Sequence, residues 1–191
     1  MEADQVLAAL QGRDPDALRA LVAEHGDRLL RSACLLCGDP VEAQDLVQET
    51  FLQALHSGHR FAGRSSIHTW LHGILLNLTR HHHRQRQRLV YDEELAQSEM
   101  AEFEAPPSSL DQAVSSQALQ MALRQLSAPH REVLVLRYFD NLKIHELAAQ
   151  LGISPGTVKS RLHYALAEMQ KLVPAEMNLF GPAGTEKQEP V

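Results

Sequence analysis

The chain has 191 residues, 18 Lys+Arg against 24 Asp+Glu and a formal charge of −6, enough length for one domain or two small ones. Hydrophobic residues make up 44% and aromatics only 5%, which excludes wholesale disorder and favours helices over sheets. Two cysteines cannot build a disulfide framework, no apolar run approaches a membrane span, and the acidic start MEADQVLAALQGRD is unlike a signal peptide; a cytoplasmic location is expected.

Asp14-Pro15 supplies an N-cap and an N1 proline ahead of ALRALVAEH, so the chain should open on a helix. A second helix is expected from about Arg28 to Cys37, stopped by Gly38. Asp39-Pro40 caps a third that runs to about Leu55, with Glu42 placed to close a capping box. FAGRSS, residues 61–66, reads as a loop ending in a serine cap, followed by a helix to about Arg88. Periodicity then fades across 90–111, where Pro106-Pro107 interrupts an acidic stretch. It resumes over 112–126 and 128–139, then at 143–151 and 155–172, and the tail after Val173 lacks it. The expected fold is all-α: a first helical domain over 1–89, an acidic flexible linker over 90–111, a second helical domain over 112–172 and a disordered tail over 173–191.

Charge is segregated along this plan. Residues 1–55 carry ten acids against four bases, whereas 56–90 carry six arginines, seven histidines and no acid. Residues 91–111 hold seven acids and no base, and 112–172 return to a net +3. Local field, not net charge, decides where a polyanion docks, so two basic blocks are candidate nucleic-acid surfaces.

The stretch LGISPGTVKSRLHYAL, residues 151–166, has the pattern of the second half of a helix-turn-helix. With Ser154 as N-cap and Pro155 at N1, Val158, Leu162, Ala165, Leu166 and Met169 form a core stripe. Thr157, Ser160, His163 and Tyr164 face the other way, with Lys159 and Arg161 on the flanks. Leu147, Ala148 and Leu151 should be buried in the preceding helix, and Gly152 should make the tight turn. This is the geometry that puts a helix into a major groove.

Together, GDPVEAQDLVQETFLQAL, FAGRSSIHTWLHGILLNLTR and LRQLSAPHREVLVLRYFDNLKIHELAAQLGISPGTVKSRLHYAL resemble an extracytoplasmic-function (ECF) sigma factor of bacterial RNA polymerase. The resemblance covers about 14–85 and 112–170. It implies a protein that binds core polymerase and directs promoter recognition and DNA melting for a stress- or signal-responsive regulon. Its partners would be the largest-subunit clamp coiled coil and the flap of the polymerase, promoter DNA and an anti-sigma factor, with no membrane insertion.

Residue by residue, the resemblance assigns Asp45, Leu46, Gln48, Glu49 and Leu52 to the clamp. Asp45, Gln48, Glu49 and Leu52 are spaced i, i+3, i+4 and i+7 along one mostly polar stripe, while Val47, Phe51 and Ala54 face a core. Single-stranded minus-ten DNA falls to Phe61, Gly63, Arg64, Ser65, Ser66, Trp70, Asn77, Arg80 and Arg84, with Arg60, Arg86 and Arg88 adding positive field. Trp70 suits core packing equally well. The minus-35 duplex falls to Lys159, Ser160, His163 and Tyr164 on bases and Thr157 and Arg161 on phosphates. Tyr164 stands where many members carry Arg, and Lys143 replaces the usual serine cap at a cost of about 1 kcal/mol. The acidic linker suits a path through the polymerase better than DNA contact. A stand-alone duplex-binding regulator, or a module held by a sensing partner, remain the alternative readings.

Cys34-Leu35-Leu36-Cys37 with His81-His82-His83 lacks the second cysteine pair of a closed zinc site, and the eleven histidines read as solvated helix surface. No catalytic order of nucleophile, base and acid stands out, so neither enzyme activity, metal nor cofactor is expected.

Overall fold

The computed structural model describes residues 15–58, 61, 63, 65–92 and 110–173. Most of the linker, the chain start, the tail, and Arg60 and Arg64 lie outside these residues. All the regular elements described are helical. They are α1 (Pro15–Cys37), α2 (Pro40–Ser57), α3 (Ile67–Asp92), α4 (Leu110–Gln125), α5 (Ala128–Leu134, continued by a π turn over Val135–Phe139), α6 (Ile144–Leu151) and α7 (Pro155–Leu172). Helices α1–α3 form one module and α4–α7 a second.

Helix α1 corrects one expectation: it is continuous where two helices were anticipated. Glycine at position 26 costs about 1 kcal/mol relative to Ala. Leu21, Leu29, Ala33 and Leu36 bury one face across that position, and each buried leucine contributes about 1.5–3 kcal/mol. Burial wins, and the helix runs through. It ends at Gly38 (φ 81°), whose amide donates to the Cys34 carbonyl at 2.9 Å.

Other boundaries follow local chemistry. Asp39 Oδ1 accepts from the amides of Val41 (2.8 Å) and Glu42 (3.2 Å), and Pro40 starts α2. Ser66 Oγ accepts from the Thr69 amide at 3.1 Å and opens α3, which runs on to Asp92, beyond the Arg88 end expected. Lys143 offers no side-chain acceptor, but the Glu146 carboxylate accepts from its amide at 2.8 Å, giving α6 half a capping box. Gly152 takes φ 67° between α6 and α7.

The stretch 128–139, expected as one helix, changes from α to π geometry at Val135. The Asp140 amide donates to the Val135 carbonyl at 3.2 Å, and Asn141 adopts φ 55°, a left-handed conformation that Asn tolerates. This widened turn points the Asp140 side chain at α1 and α3. The modules are packed together, not merely tethered: Leu21, Leu29, Leu71 and Leu75 share one buried cluster with Leu123, Leu134, Leu136 and Val158.

Candidate nucleic-acid and polymerase interfaces

The outer face of α2 presents Asp45, Gln48, Glu49 and Leu52 to solvent, lining a shallow groove with Gln53, His56 and Ser57. Leu52 is 48% exposed, an apolar group amid acids and amides. Phe51 and Ala54 are buried and Val47 is half-buried against the core, as the spacing predicts. Leu46 is a correction. It is fully buried, fills the core, and has no surface to offer a partner.

On α3 and the loop before it, Phe61 is buried and its ring lies 5.0 Å from that of half-buried Trp70. Trp70 packs on the core, as the core-packing alternative expects, and lies against Phe61 of the loop. Gly63 (φ 65°) is exposed and Ser65 half-buried. Asn77 and Arg84 are exposed. Arg80 is not free. Its Nε and Nη2 donate to Glu132 Oε1 and Oε2 at 2.8 and 2.6 Å, and this pairing raises the guanidinium pKa. Arg86 Nη1 donates to Glu42 at 3.0 Å. Part of the expected positive field is therefore met by the chain's own carboxylates.

The helix-turn-helix matches its sequence pattern closely. Val158, Leu162, Ala165 and Met169 are buried, as are Leu147, Ala148 and Leu151. Ser154 Oγ accepts from the Thr157 amide at 3.1 Å and lies 2.9 Å from its hydroxyl. Thr157 is thus engaged in the cap and half-buried. Lys159, Ser160, His163 and Tyr164 are exposed, Arg161 half-buried, and the His163 and Tyr164 rings meet edge-on at 5.5 Å.

Between the modules lies a polar seam that the sequence did not announce. From the second module come Glu132, Asp140, Glu146 and Gln150. From the first, Thr69 Oγ1 donates to Glu146 Oε1 at 3.1 Å, and the Thr69 carbonyl accepts from Gln150. Ser32 Oγ donates to Asp140 Oδ1 at 2.5 Å, and Arg28 donates to the Asp140 carbonyl at 2.9 Å. Arg124 donates to the Gly38 carbonyl. His68 and His72 face Asp140 as well, and burial, with His72 close by, pushes the His68 imidazole down to about 4. Neither is the solvated surface residue that composition suggested: His72 is 1% exposed. A long-range pairing of this kind leaves little local signature: three acids in a basic segment and a histidine pair at i and i+4.

The cysteines are quiet. Cys37 Sγ donates to the Asp39 carbonyl at 3.2 Å, and burial pushes its thiol up to about 12, far from a reactive thiolate. Among the described residues no helix is long and apolar enough to cross a membrane.

Family models match both halves: "Sigma-70 region 2" over residues 21–89 and "Sigma-70, region 4" over 116–169. The first module and the helix-turn-helix module thus have the two-part plan of sigma-70-type initiation factors. Among curated proteins, the ECF sigma factor SigL of Mycobacterium tuberculosis is 34% identical over 154 residues, covering 80% of this chain and 86% of SigL. The ECF sigma factor SigW of Bacillus subtilis is 29% identical over 167 residues, covering 83% and 89%. Among solved structures, the sigma factor RpoE of Bartonella quintana in complex with the anti-sigma factor NepR aligns with TM-score 0.69 at 30% identity, covering 81% of this chain and 94% of that one. CnrH, in complex with the cytosolic domain of CnrY, aligns with TM-score 0.64 at 27% identity, covering 92% and 99%. The chain belongs to the ECF family of RNA polymerase sigma factors, regulatory proteins that direct transcription initiation.

Proposed function

We propose that residues 1–89 seat this chain on core polymerase and open the minus-ten element, that 112–172 read the minus-35 element, and that 90–111 link them within the polymerase. The observation that carries this reading is that one chain exposes both the Asp45–Leu52 ridge on α2 and a well-capped reading helix on α7. Asp45, Gln48 and Glu49 offer carboxylates and an amide to basic side chains on the clamp, with Leu52 as the apolar contact. Lys159, Ser160, His163 and Tyr164 contact base edges, and Arg161 a phosphate. Gly63, Ser65, Asn77 and Arg84 meet the displaced single strand, over a floor built by Phe61 and Trp70. The similarity to a sigma factor solved with an anti-sigma factor supports such a partner here, and a protein that works alongside polymerase would act in the cytoplasm. Release from that partner would couple the regulon to a stress or other signal.

Run-off transcription with purified core polymerase tests the reading. The D45K/E49K double variant should bind core about 30- to 700-fold more weakly, since like charges across an interface cost several kcal/mol. Duplex binding through α7 should persist. Unchanged assembly would make the ridge a solvated face. A wild-type chain that grips duplex DNA tightly and ignores polymerase would instead be a stand-alone regulator.

A further inference from the structure

Among the buried atoms of the seam without a hydrogen-bond partner are His68 Nδ1, His72 Nε2 and Asp140 Oδ2. Their arrangement is specific. His68 Nε2 lies 3.1 Å from the Asp140 carbonyl, and His72 Nδ1 lies 2.9 Å from the His68 carbonyl. A carbonyl oxygen only accepts, so each of those ring nitrogens carries the proton. In the neutral rings the opposite nitrogens, His68 Nδ1 and His72 Nε2, are left with bare lone pairs. His72 Nε2 sits 2.8 Å from Asp140 Oδ1, an ion pair whenever that ring carries a second proton, and both side chains are 0% exposed. A cation shared by these atoms would take the place of that proton and satisfy the lone pairs left bare in the neutral rings. One ligand atom from each of His68, His72 and Asp140 lies within 4.8 Å of the other two.

We propose that His68, His72 and Asp140 bind a divalent transition-metal ion of the Zn2+ or Co2+ type between the two modules. The donor set is two neutral imidazoles and one carboxylate, the mixture that borderline divalent ions take. The histidines stand four residues apart on one face of α3, and the π turn delivers Asp140 from the other module. An outer shell is already built. Two backbone carbonyls fix the ring tautomers, and Ser32 Oγ holds Asp140 Oδ1 at 2.5 Å. A bound ion would staple the α3 face to the second module and oppose its exposure to single-stranded DNA. That consequence rests on the promoter reading above; metal uptake does not, so a chain that binds the ion yet supports no transcript would sink the former alone.

Titrating Co2+ into the chelator-stripped full chain, followed by its visible ligand-field bands and by competition with Zn2+, reads the site directly. One equivalent should bind, with bands free of sulfur charge transfer. H72Q and D140N should each abolish the bands, whereas H81Q/H82Q/H83Q and C34S/C37S should keep them. S32A retains all three ligands and should bind about 10-fold more weakly, which tests the site if the ligand variants misfold by circular dichroism. Absence of uptake by the wild type, uptake that survives H72Q and D140N in folded protein, S32A binding as tightly as wild type, or bands that vanish with the cysteines would each overturn the proposal.

Discussion

Helices α3 and α7 both carry hydrogen-bonding and basic groups suited to nucleic acid, yet the structure treats them in opposite ways. On α7, Lys159, Ser160, His163 and Tyr164 face solvent with only local contacts. On α3, Arg80, Thr69, His68 and His72 are taken up by Glu132, Glu146 and Asp140 of the second module. The proposed duplex-reading surface is open in this conformation, while Arg80, on the face proposed for the melted strand, is held by the Glu132 carboxylate. A basic face that must act only inside a larger assembly can be kept from stray nucleic acid in this way, at the cost of an opening step.

The contrast can be broken most strongly at Asp140. D140A leaves Ser32 and His72 buried without their partner, and each unsatisfied group costs about 1–3 kcal/mol. Denaturant unfolding should show a loss of about 3 kcal/mol, whereas S160A on the open helix should stay within about 0.5 kcal/mol. Equal effects would mean that the seam carries no special weight. A smaller effect, opposite in sense, is expected from E132A. Freeing Arg80 should strengthen binding of the isolated chain to a single-stranded oligonucleotide and steepen the log–log salt dependence by about 0.7, the amount for one more phosphate neutralised. A flat response would show that Arg80 is uncovered without Glu132 being removed. Smallest and most local is R161A. Duplex affinity should fall with a salt slope reduced by about 1, and single-strand binding should not move. Should both fall together, the two helices share one DNA surface and the contrast fails.

Much of this molecule is legible from sequence because the deciding forces are local. Asp39-Pro40, Ser154-Pro155 and Gly152 act within three or four residues of themselves, and each does what its chemistry predicts. The α7 core stripe and the Asp45–Leu52 ridge follow from helical periodicity alone. Leu46 shows where a motif misleads: it sits within the stretch assigned to the polymerase, but its angle around the helix sends it inward. Gly26 shows where a breaker is overruled by burial on both sides. The seam was illegible for a different reason. Asp140 and His72 are 68 residues apart, and nothing near either one encodes the other; a histidine pair at i and i+4 was the available clue, hidden among eleven histidines.

The widened turn at Val135–Phe139 also has an evolutionary reading. A wide turn of this type is equivalent to one inserted amino acid, and an α-helix advances about 100° per residue. Deleting a single residue there would restore ordinary winding and swing position 140 about a quarter of the way around the axis, away from His72. Gain or loss of one codon would thus couple or uncouple the two halves of the molecule, leaving the reading helix and the polymerase ridge intact.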